Sequence, residues 1–288
     1  MQSLACLNGE VMPVDEARVP IWDRGFLFGD AVYEVLRLYQ GRSWLEVEHM
    51  NRLRRSLREM ELPDVDFERL DHRVKRTVSA SGVNEGTIYL HFTRGVAPRL
   101  HAFPDPPVPP TELIIVRPYD DAATAKLRET GVGVISRPDL RWKRCDVKST
   151  NLLANVIANE AAHRAGCYEA VLVDRDGLVT EATHSSLVWF RNGRIEGTPE
   201  GPEILPGTTR LHHLRLAEWI GVPFVERTVT LDELRHAEEV VLLGTTIEVM
   251  PVVTIDGASV ADGRPGPVTR RLQTAHARAL AEWLRGPS

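Results

Sequence analysis

Four of the 35 basic side chains in this sequence are lysines, Lys75, Lys126, Lys143 and Lys148, and the other 31 are arginines. In a chain that places arginine almost everywhere, a surviving lysine is a candidate for amine chemistry, because arginine stays protonated and cannot form a Schiff base. Lys148 has the most suitable surroundings. It stands between a strand-like stretch ending near Val147 and a helix beginning at Thr150 or Asn151. From such a junction a side chain can point into a cleft, where a desolvated amine is a usable nucleophile. The same position also suits an ordinary exposed lysine.

Other residues suit an anionic ligand. Thr208 and Thr209 follow Pro206-Gly207 and open a predicted helix, so their hydroxyls and N–H groups lie at its positive end, either for an anion or as plain N-capping. Gly244-Thr245-Thr246 gives a second small hydroxyl-bearing turn after the apolar run 240–243, and Arg52 adds a fixed positive charge. Neither turn is a Walker loop, which sets an NTPase aside. Glu181 ends the strand-like Leu178-Val179-Thr180, where a carboxylate could pair with a protonated ring nitrogen or simply be solvated. Arg99 and His101 are two residues apart, share a side if the chain is extended, and could clamp a carboxylate.

The elements that must position these residues have readable patterns. Residues 31–39 alternate with period two before the turn Gln40-Gly41, predicting a strand and hairpin. Val47, Met50, Leu53, Leu57 and Met60 recur at helical spacing from Glu46 until Pro63 stops continuation, and a second helix is expected over 67–81. Strands are expected over 87–93 and 113–117, separated by a proline-crowded loop at 102–110 long enough to reach a neighbour. Further on, 132–136 opens a new pattern, 151–165 reads as a helix stopped by Gly166, and 207–220 reads as a helix stopped by Gly221. Strands are expected at 168–173, 178–181 and 187–190, with turns at Asp176-Gly177 and Asn192-Gly193. The expected organisation is an α/β chain with a small domain over 1–117, a linker at 118–123 and a larger domain over 124–288.

Composition narrows the function. The formal charge of −5 offers no basic stripe for nucleic acid. Cys6, Cys145 and Cys167 are odd in number and widely spaced, giving neither a disulfide framework nor a metal site. No signal peptide or membrane-length apolar run is visible, so a cytoplasmic location is expected.

Taken together, these residues resemble the fold-type IV pyridoxal-phosphate enzymes, and among them the bacterial D-amino-acid aminotransferases. The resemblance runs along nearly the whole chain. Its blocks are Asp23-Arg24-Gly25-Phe26-Leu27-Phe28-Gly29-Asp30 with Tyr33-Glu34, then Phe92-Thr93-Arg94-Gly95 with Arg99 and His101, then Arg141-Trp142 through Asn151. Later come Gly166-Cys167-Tyr168-Glu169-Ala170, Val179-Thr180-Glu181 and Leu205-Pro206-Gly207-Thr208-Thr209-Arg210. The resemblance implies a small α/β domain plus a larger, strand-rich α/β pseudo-barrel domain that binds pyridoxal 5'-phosphate. It implies that Lys148 forms the Schiff base, that Glu181 pairs with the pyridine nitrogen, and that Arg52, Thr208, Thr209 and Thr245 hold the phosphate while Leu205 packs on the ring. It also implies that Tyr33 and Thr246 bind substrate, with Arg99 and His101 of a second subunit reaching the substrate carboxylate, so that a homodimer is the catalytic unit.

The implied reaction is ping-pong transamination between a D-amino acid of the alanine or glutamate type and a 2-oxo acid such as 2-oxoglutarate or pyruvate, the cofactor serving as electron sink. One departure concerns the side-chain range. After Glu181 the chain reads Ala182-Thr183-His184-Ser185-Ser186, where the D-amino-acid enzymes carry small serines, so His184 is expected to narrow or recharge the substrate pocket. Within the same fold, a branched-chain L-aminotransferase, an aminodeoxychorismate lyase and an (R)-amine transaminase are the competing readings. Arg99 and His101 argue against the first two. A non-catalytic binding protein would not need the intact lysine, glutamate and phosphate-binding set.

Overall fold

A computed structural model describes residues 2–286, and it divides the chain into two compact units: one runs up to Asp120 and includes Val147–Asn151, the other comprises Asp121–Asp146 and the chain from Leu152 onward. The first unit contains strands β1 (Leu4–Leu7) and β2 (Glu10–Pro13), a short helix α1 (Arg24–Phe28), strands β3 (Ala31–Tyr39) and β4 (Arg42–Ser43), helices α2 (Glu46–Glu59) and α3 (Phe67–Ser81), and strands β5 (Gly86–Thr93) and β6 (Thr111–Pro118). The alternation over 31–39 and the helical spacing over 46–60 and 67–81 correspond to β3, α2 and α3, and the proline-rich stretch 102–110 carries no helix or strand.

These strands form an antiparallel sheet in the order β2-β1-β6-β5-β3-β4. Alternate residues of β3, Val32, Leu36 and Leu38, turn inward and meet Leu53 and Leu57 of α2 and Leu70 of α3, all buried. Burying each such leucine contributes about 1.5–3 kcal/mol, which fixes the helices on the sheet. Strand β4 covers only Leu38 and Tyr39 of β3. The edge beside Val32 and Tyr33 is taken instead by the Val147–Asn151 segment: Val32 bridges Ser149, and Tyr33 N donates to Lys148 O at 3.0 Å.

This pairing corrects two expectations. No strand leads into Lys148; the residues from 139 to 152 are irregular apart from that bridge, because their partner is the edge of β3 and not a neighbouring hairpin. The following helix starts at Leu153 and not at Thr150 or Asn151, whose N–H and side-chain groups bond to Ala31 O and Gly29 O.

The second unit contains α4 (Ala122–Thr130), β7 (Val132–Pro138), α5 (Leu153–Arg164), β8 (Glu169–Val173), β9 (Val179–Ala182), β10 (Ser186–Arg191), β11 (Arg194–Gly197), α6 (Thr208–Trp219), β12 (Phe224–Glu226), α7 (Leu231–Arg235), β13 (Glu239–Gly244), β14 (Glu248–Ile255), β15 (Ala258–Ser259) and α8 (Pro267–Arg285). Its mixed sheet has the order β12-β11-β10-β13-β14-β7-β8-β9, with β15 on β14. The sheet curls almost closed: Val179 N, on the last strand, donates to Val229 O at 2.8 Å, and Leu178 bridges Thr230, just beyond β12 at the other end of the order. Closure puts Val134, Val171, Trp189, Leu234, Leu242 and Met250 into one core, the strand-rich pseudo-barrel that the family resemblance implied.

Candidate functional site

In the first unit, the segment carrying Lys148 is pinned from three sides. Beyond the bonds to β3, Lys148 N donates to Ser56 Oγ of α2 at 3.3 Å. Gly29 ends α1 in the left-handed conformation with φ 66°, and a Cβ there would stand 2.8 Å from Asn151 Oδ1, so glycine is needed to let the segment approach. Lys148 is half-buried, with Nζ 4.4 Å from the centre of the Tyr33 ring. Lys75, Lys126 and Lys143 are exposed. The lysine scarcity in the sequence therefore pointed to the one lysine with a partly dry environment.

Tyr33 packs at 5.7 Å from the Tyr89 ring, and Tyr89 Oη lies 2.8 Å from His91 Nδ1. Burial, reinforced by Tyr33, pushes the Tyr89 hydroxyl up to about 12, so it stays protonated. Arg52, one turn after His49 on α2, is buried and ion-paired to Glu34 on β3.

Arg99 and His101 are exposed and lie on the same ring: the Arg99 guanidinium is 5.2 Å and the His101 ring 5.6 Å from the centre of Phe28. Their loop is held by the first sequence block. Arg24 Nη1 donates to Leu100 O at 2.6 Å and to Ala102 O at 3.3 Å, while Asp30 binds both Arg24 and Arg94 at 2.8 Å. Arg94 in turn sits over Phe103, 3.5 Å from its ring centre.

In the second unit, the remaining candidates gather at one end of the sheet. Glu181 on β9 is buried and accepts from Leu205 N at 3.2 Å. Two residues on, Gly207 is the N-cap of α6, with an extended backbone, and a Cβ there would stand 2.4 Å from Ser186 Oγ. Ser186 lies opposite Leu243, so the Gly244-Thr245-Thr246 turn is at the same end. Thr208 and Thr209 are the first two residues of α6, and both are buried. A glycine N-cap supplies no side-chain acceptor to their helix end.

Sequence reasoning missed three buried partners. Arg141 ion-pairs with Glu181 and with Asp139, and also donates to Glu203 O at 2.8 Å. Burial works to lower the Arg141 pKa, but the Asp139 bond and the charges of Glu181 and Asp139 outweigh it and keep the guanidinium charged. The second partner is Glu169 on β8, fully buried, whose carboxylate accepts from Thr183 Oγ1, His184 N, Ser185 N and Ser185 Oγ at 2.6–3.2 Å. It fixes the loop after Glu181. His184 is half-exposed on that loop, with Nδ1 3.2 Å from Ser185 Oγ and the ring edge-on to Tyr168. The third is Glu34. Arg141, Glu169 and Glu34 all fall inside the sequence blocks already singled out; for Glu34 and Glu169 the available signal was a charged residue inside an otherwise apolar or small-residue strand, whereas Arg141 lies in an irregular segment with no such signal.

Helix α6 also rests on an imidazole cluster. His213 is buried and its Nδ1 lies 2.8 Å from Thr209 O; a carbonyl only accepts, so Nδ1 carries the proton. Its ring stacks on His276 of α8 at 5.0 Å, with His212 edge-on at 5.3 Å. Burial, then the charge of His212, lowers His213 to about 3, and burial with the neighbouring rings lowers His276 well below its ordinary value. Glu248, 3.8 Å from His276, and the cation Arg128 also face the cluster. Both folded pKa values lie below the unfolded one, so the stability these neutral rings contribute is complete above about pH 6.5 and is lost as pH falls from there; for His213 the loss runs toward pH 3, at up to about 1.4 kcal/mol per pH unit. Thermal melts between pH 7 and 4.5 should show a shallower pH slope for His213→Asn than for the unaltered protein; equal slopes would contradict the burial of a neutral ring.

The profile of Amino-transferase class IV matches residues 31–255 of the chain. The chain is 40% identical over 277 residues to a D-alanine aminotransferase of Staphylococcus haemolyticus, covering 93% of this chain and 94% of that protein. It is 41% identical over 273 residues to a D-alanine aminotransferase of Bacillus licheniformis, with the same coverage. Among solved structures, a T.th. branched-chain amino acid aminotransferase complexed with N-(5'-phosphopyridoxyl)-L-glutamate superposes with a TM-score of 0.86 and 26% identity, covering 97% of this chain and 94% of that one. The Escherichia coli branched-chain amino acid aminotransferase superposes with a TM-score of 0.90 at 24% identity over 96% of this chain and 94% of that one, a likeness of fold. Among the described residues, no helix is long and apolar enough to cross a membrane.

Proposed function

The chain belongs to the class IV aminotransferases, and we propose that it moves amino groups between a D-amino acid, of the alanine or glutamate type, and a 2-oxo acid, using pyridoxal 5'-phosphate bound through Lys148. The observation that carries the reading is Lys148 itself, half-buried against Tyr33 in a chain whose other lysines are exposed. Each unit supplies groups that suit the cofactor: the first an amine for its aldehyde carbon and Arg52 for its phosphate, the second a buried carboxylate, Glu181, for its ring nitrogen and the glycine-capped start of α6 for its phosphate. Thr208, Thr209 and Thr245 complete the phosphate set, and Leu205, held through its backbone to Glu181, packs on the ring.

When bound, the cofactor supplies the electron sink that makes the substrate Cα–H acidic. The protein does the rest. Tyr33 and Thr246 would orient the substrate, and the Lys148 amine would hold the cofactor by its aldehyde carbon and, when free, serve as the base that takes the proton from the substrate Cα. Glu181, ion-paired with Arg141, would present its carboxylate to the ring nitrogen and favour its protonated form. His184, fixed by the Glu169 loop, sets the side-chain range.

Arg99 and His101 bind the substrate carboxylate in the site of a second copy of the chain. Large apolar side chains around their loop are exposed, among them Ile21, Trp22, Phe26, Leu100 and Phe103, as are Leu153, Val156 and Ile157 of α5, and such patches mark an interface. Lys148→Ala and Arg99→Ala/His101→Ala proteins, each inactive alone, are expected to regain activity when unfolded and refolded together. Mixed dimers hold one intact site each, so recovery should approach about a quarter of the normal activity. No recovery would place Arg99 and His101 in the site of their own chain.

Turnover of D-alanine and D-glutamate with 2-oxoglutarate, beside L-leucine and an (R)-amine, tests the substrate class. Activity confined to the D-acids supports the reading, while equal activity on L-leucine or on the amine would replace it with one of the competing class IV reactions.

A further inference from the structure

One face of α2 carries Arg52 and meets the Lys148 segment, and it includes a residue not yet given a role. His49, Arg52 and Ser56 are spaced i, i+3 and i+7, so they lie along one stripe of the helix. Ser56 Oγ accepts from Lys148 N, as described above. Facing the other two is Glu34, fully buried on β3 next to Tyr33. Its carboxylate accepts from Arg52 Nε at 2.7 Å, from Arg52 Nη2 at 2.9 Å and from His49 Nδ1 at 2.8 Å.

The protonation states follow from the contacts. Burial alone would raise the Glu34 carboxyl, but the charge and hydrogen bonds of Arg52, with those of His49, hold it well below the usual carboxylate range. An ionised carboxylate can only accept, so His49 carries its proton on Nδ1. Burial lowers the His49 pKa against the pull of Glu34, and the cations Arg52 and Lys148 lower it further, leaving a neutral ring near pH 7. A buried ion pair of this kind is a poor source of stability, since apolar residues of similar volume would serve the fold at least as well. Its value lies in geometry: a bidentate carboxylate fixes the plane of a guanidinium, which a lone arginine on a helix does not do for itself.

We infer that Glu34 and His49 are positioning residues for the reaction: Glu34 grips Arg52 by its Nε–Nη2 edge, turning the rest of the guanidinium toward the cofactor phosphate, and His49 holds Glu34 in the orientation that allows this. The inference rests on the assignment of Arg52 to the phosphate. It makes the network a determinant of phosphate recognition and not of the amine chemistry at Lys148.

The test compares two probes on cofactor-free full-length protein, pyridoxal 5'-phosphate and unphosphorylated pyridoxal, read by the absorbance of the lysine-bound cofactor. Glu34→Gln keeps the shape of the side chain but offers one oxygen to three donors. It is expected to weaken pyridoxal 5'-phosphate binding by about 30-fold while changing pyridoxal binding by less than about threefold. His49→Asn, whose amide N–H takes the place of Nδ1–H, should stay within about threefold for both probes, whereas His49→Leu, which removes the donor, should lose about tenfold for the phosphorylated probe alone. Should Glu34→Gln fail to fold, Glu34→Asp carries the same comparison, with a smaller loss still confined to the phosphorylated probe. Equal losses for both probes would reduce Glu34 to a scaffold residue, and no loss would remove it from the site; either overturns the inference while leaving the proposed function standing. If the unaltered protein forms no lysine-bound band with either probe, the assignment of Lys148 fails first, and the inference goes with it.

Discussion

Lys148→Ala is expected to lower turnover of D-alanine with 2-oxoglutarate by about 10⁴-fold or more, because one side chain both anchors the cofactor and carries the Cα proton. No other lysine is placed to take over. The remaining lysines are exposed, and the arginines cannot deprotonate at working pH. The fold should survive the change, since the Lys148 backbone makes the bonds that hold the segment: its carbonyl accepts from Tyr33 N and its N–H donates to Ser56 Oγ. A melting temperature near that of the unaltered protein, with steady-state rates at background, is the predicted pair of results. A folded variant with full activity would end the assignment.

Glu181→Gln should cost about 10²- to 10³-fold in kcat with a smaller effect on the fold. The neutral amide still accepts from Leu205 N, but it no longer stabilises a protonated ring nitrogen, and the electron sink weakens accordingly. Arg141 is then left with Asp139 as its carboxylate partner, so an additional cation lies close to the ring nitrogen's intended partner and opposes its protonation further. Glu181→Asp, which keeps the charge, should recover most of the rate. The measurement is kcat for both variants, and equal losses for the two would argue that length and not charge matters at this position.

Much of the first unit was legible because its signals are local. The alternation of β3 and the apolar stripes of α2 and α3 come from side chains facing a core a few residues away. The second unit hides more. Helix α8 buries Val268, Leu272 and Ala275, a stripe too rich in small residues to stand out against its arginines. Strand β14 contains Pro251, a residue that reads as a break, yet pairing with β7 begins only at Val252. Strands β1 and β2 are four residues each, too short for periodicity to register.

The site divides in the same way. The chemical types of Lys148, Glu181, Thr208 and Thr209 could be read from the sequence: Lys148 through the scarcity of lysine, Glu181 through the strand-like run before it, and the two threonines through the Pro206-Gly207 that precedes their helix. What could not be read is the company they keep. Lys148 belongs with β3, more than a hundred positions earlier, and Glu181 with Arg141, 40 positions earlier. Such pairs depend on which strand ends meet, and no local pattern of residues reports it. His184 was visible as a departure from small residues, but its anchoring by Glu169 was not.

The absorption spectrum of the purified, cofactor-loaded protein, recorded before and after adding D-alanine or D-glutamate, with L-leucine and L-glutamate in parallel, tests the central claim most directly. The account predicts that the D-acids alone convert the band of the lysine-bound cofactor into that of its aminated form, and that Lys148→Ala shows no lysine-bound band. Conversion by the L-acids alone, or a lysine-bound band that persists in Lys148→Ala, would contradict it.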